Sequence, residues 1–289
     1  MKKVLITGAN SYIGTSFEKY MKQFDGYQID TMDMIDGTWR QNDFSGYDTV
    51  FHVAGIAHSE TGKISEERKQ IYYKVNTDLT IETAKKAKSD GVKQFIFMSS
   101  AIVYGNSAKI GKKKVIDCNT PVSPANFYGD SKVKAEEGLR PLSDGAFRVV
   151  ILRPPMIYGK GSKGNYPILS KFAQKYPVFP KIKNERSMLY IDNLAEFVKL
   201  MIDNEEEGTF FPQNAEYTST SEMVREIAQV HGKKVRLVRG TTLPLKVLSH
   251  LTGLVNKAFG NLCYEKSLSD YKVDYRKYSL AESIRLTES

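Results

Sequence analysis

The stretch Lys3-Val4-Leu5-Ile6-Thr7-Gly8-Ala9-Asn10-Ser11-Tyr12-Ile13-Gly14 decides the fold. Lys3 to Thr7 is a β-branched and aliphatic run with a lysine at its edge, the pattern of a buried strand. A glycine turn, Gly8 to Gly14, follows at once, and an amphipathic helix is predicted from about Gly14 to Phe24. In that order, main-chain N–H groups of Gly8, Asn10, Ser11, Tyr12, Ile13 and Gly14 can cradle a pyrophosphate at the helix N-terminus. Gly8 permits the tight turn and Gly14 a close contact between helix and strand. Ser11 stands where such loops usually carry a middle glycine, and its hydroxyl can cap the helix or face a phosphate.

A second strand, Tyr27 to Asp33, ends in an acid. A carboxylate there accepts both hydroxyls of an adenosine ribose and repels a 2′-phosphate, so Asp33 points to NAD over NADP. Thr49–Val53, Gln94–Met98 and Phe147–Leu152 read as further strands, with helices over Arg68–Ser89 and Asn126–Leu142. Strands alternating with helices predict a parallel sheet covered on both faces. Tyr128 and Lys132 lie four apart on one face of the second of these helices, which Ser123-Pro124 precedes as a start signal. A free tyrosine, with a pKa of about 10, is a poor base at neutral pH; an ammonium beside it favours the phenolate.

Eight pieces in order complete the reading: Thr7-Gly8-x-x-Ser11-x-x-Gly14, Asp33, Asp43-Phe44, His52-Val53-Ala54-Gly55, Asn76, Ser99-Ser100-x-x-Val103-Tyr104-Gly105, Tyr128-x-x-x-Lys132 and Arg153-Pro154-Pro155. By these the chain resembles the extended short-chain dehydrogenases/reductases, in their nucleotide-sugar epimerase/dehydratase branch, over nearly its whole length. Two features depart from the pattern: Ser11, and the short stretch Ser45 to Tyr47 where relatives often carry a full helix. The resemblance implies an α/β fold, a doubly wound parallel sheet of the Rossmann type with a small C-terminal α+β substrate lobe. Residues 1–155 would form mainly the NAD-binding domain and 156–289 mainly the lobe, with about 185–212 returning to the first.

The same resemblance implies roles. Asp43 and Phe44 would border the adenine, and Ala54 and Gly55 would lie along the cofactor. Asn76 would support the site, and Pro154 and Pro155 would pass beside the nicotinamide. Ser100 would hydrogen-bond the reacting sugar oxygen, and Lys132 would also hold the nicotinamide ribose. Oxidising a sugar carbinol needs a base for the hydroxyl proton, the part of Tyr128, and a hydride acceptor, the part of the cofactor. Family dehydratases carry an Asp-Glu pair directly after the serine or threonine. Ala101 and Ile102 stand there instead and transfer no protons, which disfavours dehydration.

In the lobe, Lys160 to Pro167 reads as a flexible basic loop able to close over an anion. Asn184 to Leu194 resembles the family segment whose arginine grips the substrate diphosphate. Arg186 would take that part, with Asn165 as a second contact, since a planar guanidinium matches phosphate oxygens. Leu243 to Phe259 is an apolar helical stretch with scattered bases; it could rest on an anionic membrane surface and is read as a lobe helix packed on its neighbours.

The formal charge of +9 over 289 residues fits an anionic nucleotide-diphospho-sugar. The lysines are dispersed and no nucleic-acid motif accompanies them. Asn106 to Asn119, with Lys112-Lys113-Lys114, reads as an exposed loop near the site. Cys118 and Cys263 have no metal-like spacing, no zinc site is indicated, and His52 reads as structural. His58 is weighed as a substrate contact in the loop after Gly55. With no signal peptide and no run long enough to span a bilayer, a cytoplasmic protein is expected.

The activity expected is C4 epimerisation of a UDP-hexose or UDP-N-acetylhexosamine for cell-surface polysaccharide synthesis, with NAD recycled in each turnover. An NAD(P)H-dependent reductase of a nucleotide-linked 4-keto-6-deoxy sugar is the runner-up, and an epimerase of polyprenyl-diphosphate sugars a variant. A non-catalytic cofactor sensor is the reading from another class. By analogy, a homodimer would form through the helices Arg68–Ser89 and Asn126–Leu142.

Overall fold

The five strands read from the sequence line up in one sheet, joined by a sixth at Gly208–Phe210 that was not read. The structure is a computed structural model that describes residues 1–56, 65–241, 245, 256 and 258–289. Its strands are β1 (Lys2–Thr7), β2 (Tyr27–Met32), β3 (Thr49–His52), β4 (Gln94–Met98), β5 (Val115–Ile116) and β6 (Arg148–Leu152). They continue with β7 (Met156–Tyr158), β8 (Val178–Pro180), β9 (Met188–Tyr190), β10 (Gly208–Phe210), β11 (Arg236–Val238) and β12 (Cys263–Tyr264). The helices are α1 (Tyr12–Met21), α2 (Glu66–Tyr73), α3 (Leu79–Ser89), α4 (Phe127–Leu139), α5 (Asn165–Lys175), α6 (Ile191–Asp203) and α7 (Thr220–Val230), and a last helix spans Leu280–Glu288.

The chain divides into two compact units. The first comprises Met1–Gly105, Pro121–Pro154 and Leu194–Pro212. Its sheet runs β10-β6-β4-β3-β1-β2, parallel throughout. Because helices cover both faces, the central strands are buried on both sides, which is why they read as unbroken apolar runs and not as alternation. Leu5, Val50, Phe95, Phe97, Val149 and Ile151 meet Trp39, Phe44 and Leu139 in one cluster. On the other face Phe17 of α1 sets its ring edge-on to Phe51, centroids 5.1 Å apart.

Chain order reverses between β1 and β3, and α/β sheets bind ligands just beyond the strand ends at such a point. From β2 to β3 the chain crosses with only a 3₁₀ turn, Thr38–Gln41, whose Trp39 is buried at 1% exposure. One indole fills core space that a helix face would otherwise fill.

The second unit comprises Asn106–Thr120, Pro155–Asn193 and Gln213–Ser289. Among the described residues it holds three two-stranded parallel pairs, β7 with β9, β8 with β11, and β5 with β12. Tyr158 of β7 is fully buried, stacked on Tyr166 at 5.3 Å and held at its hydroxyl by Asn214 (3.0 Å). Residues 106–119, expected as an exposed loop, instead supply β5 to the pair with Cys263–Tyr264 and a bridge from Ala108 to Asn261. Pairing across that much sequence leaves no local periodicity to read. Among the described residues no helix is long and apolar enough to cross a membrane. His58 and most of Leu243–Phe259 lie outside the described residues.

The turn after β1 shows how tightly the first unit is built. Gly8 has φ +109°, and a Cβ there would stand 2.6 Å from the Ala54 nitrogen. Gly8→Ala is therefore expected to cost on the order of 3 kcal/mol, from backbone strain and overpacking together. Urea unfolding of the two proteins measures it.

Candidate functional site

The nucleotide end is built by β1, α1 and β2. Ser11 caps α1, its Oγ accepting from the Gly14 N–H at 3.1 Å, which leaves its O–H able to donate. Gly14 lies against the sheet, where a Cβ would be 3.1 Å from Ile6 and 3.2 Å from Val53 side-chain carbons. Asn10 adopts φ 62°, the left-handed region that asparagine tolerates. α1 begins at Tyr12, and the N-terminus of a helix can serve an anion. Asp33 is exposed directly after β2; its Oδ1 accepts from the Ile35 N–H at 2.9 Å, and a carboxylate has further acceptor capacity. Asp30 is engaged by Gln28 and Tyr47. A glycine no side chain can replace, a capped helix start and an exposed acid after the neighbouring strand fit a dinucleotide.

Asp43 and Phe44, expected to border the adenine, lie in the loop between the 3₁₀ turn and β3. The Asp43 carboxylate accepts from the Ser45 N–H (2.8 Å) and hydroxyl (2.7 Å), which lowers its pKa and closes a turn. The Phe44 ring is 0% exposed in the core, with the Lys86 ammonium 4.9 Å from its centroid. The sequence could not separate a surface aromatic from a core one in so short a loop.

Beyond β3, Ala54 N–H donates to Thr7 O at 2.9 Å, and Gly55 and Ile56 follow. Asn76 lies fully buried in a π turn, Lys74–Asp78, that joins α2 to α3. Its carboxamide accepts from the Ile56 N–H (2.8 Å) and donates to Ile56 O (3.1 Å) and Ser131 Oγ (3.2 Å). One side chain thus fixes the strand extension, and the extra residue of the π turn aims it there. A Cβ on Gly55 would meet Asn76 Oδ1 at 3.0 Å and Lys132 Nζ at 3.5 Å. His52 is satisfied at both ring nitrogens, by Thr7 and Thr80; burial holds it neutral, with its pKa down to about 3. That is the structural role read for it.

Ser100, Tyr128 and Lys132 come together where α4 crosses the end of β4. Asn126 caps α4 through the Gly129 N–H (2.9 Å), and Gly129 lets the helix approach, since a Cβ would lie 3.0 Å from Ile102 O. Ser100 hydrogen-bonds the Tyr128 phenol, and Tyr72 sets its ring edge-on to Tyr128 at 6.3 Å. Lys132 Nζ donates to Met98 O at 2.9 Å and lies 4.7 Å from the Phe97 ring centroid.

The electrostatics depart from the sequence expectation. Burial first, and Tyr72 second, push the Tyr128 phenol up to about 12, and Ser100 only partly offsets them. Burial pulls the Lys132 ammonium down to about 8, with Glu136 opposing. A low-dielectric setting favours the neutral form of each group.

Arg186 and Asn165, the two substrate candidates, line one cavity of the second unit, about 280 Å³ in volume. Met156, Met188 and Met223 make much of its wall. Arg186 is seated by main-chain bonds to Thr218 in both directions (3.1 and 3.0 Å), and its Nη1 donates to Ala258 O at 3.3 Å. Burial lowers its pKa. In the loop before α5, Lys160 donates to Ser289 O at 2.7 Å. Pro155 is buried and opens the second unit. Among the described residues no cluster of metal-ligating side chains occurs.

Sequence reading passed over Glu136, which is buried at 2% exposure one turn beyond Lys132 on the same helix stripe. The signal was there in the i, i+4, i+8 spacing of Tyr128, Lys132 and Glu136, but a helical glutamate in isolation reads as a solvated face.

Comparison with known proteins follows the same lines. The model of the NAD dependent epimerase/dehydratase family matches residues 4–211. UDP-glucose 4-epimerase of Vibrio cholerae is 31% identical over 249 residues, 78% of this chain and 75% of that protein. The N-acetyl-alpha-D-glucosaminyl-diphospho-ditrans,octacis-undecaprenol 4-epimerase of Escherichia coli O157:H7 is 29% identical over 252 residues, 80% and 73% of the two chains. Among solved structures, a dTDP-4-dehydrorhamnose reductase from Clostridium acetobutylicum superposes with a TM-score of 0.73 at 20% identity, over 98% of this chain and 97% of that one. Such identity speaks for the fold alone.

Lys132 gives a test of the buried charge. Its depressed pKa means the charge costs stability below about pH 8, and the cost fades as pH rises toward the ordinary value of 10.5. Lys132→Met should stabilise the cofactor-free protein by on the order of 2 kcal/mol at pH 7, the lost Met98 hydrogen bond included. The gain should shrink between pH 8 and 10.5 in thermal melts.

Proposed function

The chain belongs to the NAD dependent epimerase/dehydratase family, with NAD as its cofactor, and we propose that it inverts C4 of a UDP-hexose or UDP-N-acetylhexosamine. The observation that carries this reading is the convergence of Ser100, Tyr128 and Lys132 with Ala101 and Ile102, not an acid pair, following the serine. Residues Gly8 to Gly14 would hold the pyrophosphate, Asp33 the adenosine ribose, and Ala54, Gly55 and Pro155 would flank the rest of the dinucleotide. Asn76 would support that flank by holding Ile56. NAD, when bound, supplies the hydride acceptor and donor.

In this reading Ser100 holds the C4 oxygen of the sugar by a hydrogen bond. Tyr128 takes the C4 hydroxyl proton and later returns it. Lys132 steadies the phenolate and hydrogen-bonds the nicotinamide ribose. In the second unit, Arg186 grips the diphosphate with its guanidinium fork and Asn165 adds a hydrogen bond. Elimination of water needs further acid and base groups, and alanine and isoleucine supply neither.

The likeness to an undecaprenol-linked 4-epimerase favours one second reading, in which the sugar is carried on a polyprenyl diphosphate. Assays with UDP-N-acetylglucosamine and with its polyprenyl-diphosphate counterpart separate the two carriers. Net NADPH consumption with a 4-keto-6-deoxy sugar would instead make the chain a reductase.

Tyr128→Phe is expected to lower turnover at least a hundredfold with NAD still bound. Unchanged biological function in that variant would mark a cofactor sensor. Arg186→Leu is expected to raise KM tenfold or more with a smaller change in kcat, read from initial rates over a substrate range.

A further inference from the structure

Three consecutive turns of α4 grip three consecutive residues at the end of β4. Lys132 donates to Met98 O (2.9 Å), Glu136 accepts from Ser99 Oγ (2.5 Å), and Tyr128 is hydrogen-bonded to Ser100. Glu136 is the buried member of this set with no part in the chemistry proposed above. Its Oε1 also accepts from Arg153 Nε (3.0 Å), and its Oε2 from Arg153 Nη2 and Arg140 Nη2 (3.2 Å). Arg153 is itself fixed: Nη1 donates to the Tyr104 hydroxyl (2.6 Å), and the guanidinium lies over the rings of Tyr104 and Phe211. Its main-chain N–H donates to Phe210 O at 2.9 Å, at the end of the edge strand β10. The carboxylate therefore ties α4 to the ends of β4 and β6.

We propose that Glu136 is a positioning residue of the catalytic set: through Ser99 and Arg153 it sets the register of α4 on β4, and its charge sustains the Lys132 ammonium. The inference rests on the catalytic reading of Tyr128, Ser100 and Lys132. Residues four apart on a helix have Cβ atoms about 5–6 Å apart, close enough for charge to act in a buried setting. The groups facing Lys132 are Glu136 and Tyr128 from α4 and His52 from β3. His52 is neutral, so the one anion among them is Glu136. Facing Glu136 are Arg153, Arg140, Tyr104 and Ser99. Neutralising the carboxylate would remove that anion and leave two guanidiniums uncompensated beside the lysine, so both effects disfavour the ammonium.

Glu136→Gln keeps the shape and removes the charge. The expected result is a kcat/KM profile whose alkaline limb moves to lower pH by about one unit, with kcat down about tenfold. A merely structural glutamate would lower stability and leave the limb in place, and an unmoved limb overturns the proposal. Glu136→Asp keeps the charge but is too short to reach Ser99 and Arg153 together. It should leave the limb near the wild type and lower kcat, and a limb displaced as far as in Glu136→Gln overturns the charge role. If Glu136→Gln does not fold, Ser99→Ala decides the register role, since wild-type kcat in that variant overturns it. If the wild type turns over none of the sugars offered, the substrate reading fails by itself. The limb is then read from NAD affinity against pH, where a shift in Glu136→Gln still supports the proposal and its absence still overturns it.

Discussion

The seating of α4 on the end of β4 governs what the rest of the first unit can do. Tyr128 and Ser100 meet where the helix lies so close that a Cβ on Gly129 would stand 3.0 Å from the Ile102 carbonyl oxygen, tighter than most side chains accept. Asn126 starts the helix at the right residue, and Glu136 with Arg153 holds its far end. A buried ion pair of this kind contributes little net stability, because desolvating both charges offsets their attraction. Breaking one partner is costly, however, so the pair acts as a register lock more than as a source of stability.

The resting electrostatics follow from the same burial. With the phenol pushed up to about 12 and the ammonium down to about 8, both groups are uncharged between those values. For Tyr128 to serve as the base proposed, charges and hydrogen bonds would have to arrive with cofactor and substrate. This is the form in which a low-dielectric site stays stable yet becomes reactive when the missing polar partners are supplied. The second unit follows a different pattern, with one arginine set into a cavity whose wall includes three methionines, side chains flexible enough to fit irregular shapes.

Much of the first unit was legible because its information is local. An aliphatic run followed by Gly8 and Gly14 spells strand, turn and helix; Gln94–Met98 emerges as the strand that was read; and Tyr128 and Lys132 share a helix face by spacing alone. Other features were not legible. Phe44 and Asp43 sit side by side in a loop, yet one is core and the other closes a turn, a difference that depends on what packs above them. The π turn that aims Asn76 adds a single residue to a helix and leaves the apolar pattern almost unchanged.

By itself the sequence determined the parallel α/β architecture, the dinucleotide turn and the presence of a Ser, Tyr and Lys set, since these rest on periodicity and on the conformational needs of particular glycines. Only the tertiary structure decided that Glu136 is buried beneath that set, that 106–120 pairs with Cys263–Tyr264, and that Arg186 shares a cavity with Asn165. Tertiary structure likewise decided that the phenol and the ammonium both lean to neutrality. Such properties depend on which distant segments exclude water from a group, and desolvation is a property of the packed environment that no residue carries in its own identity.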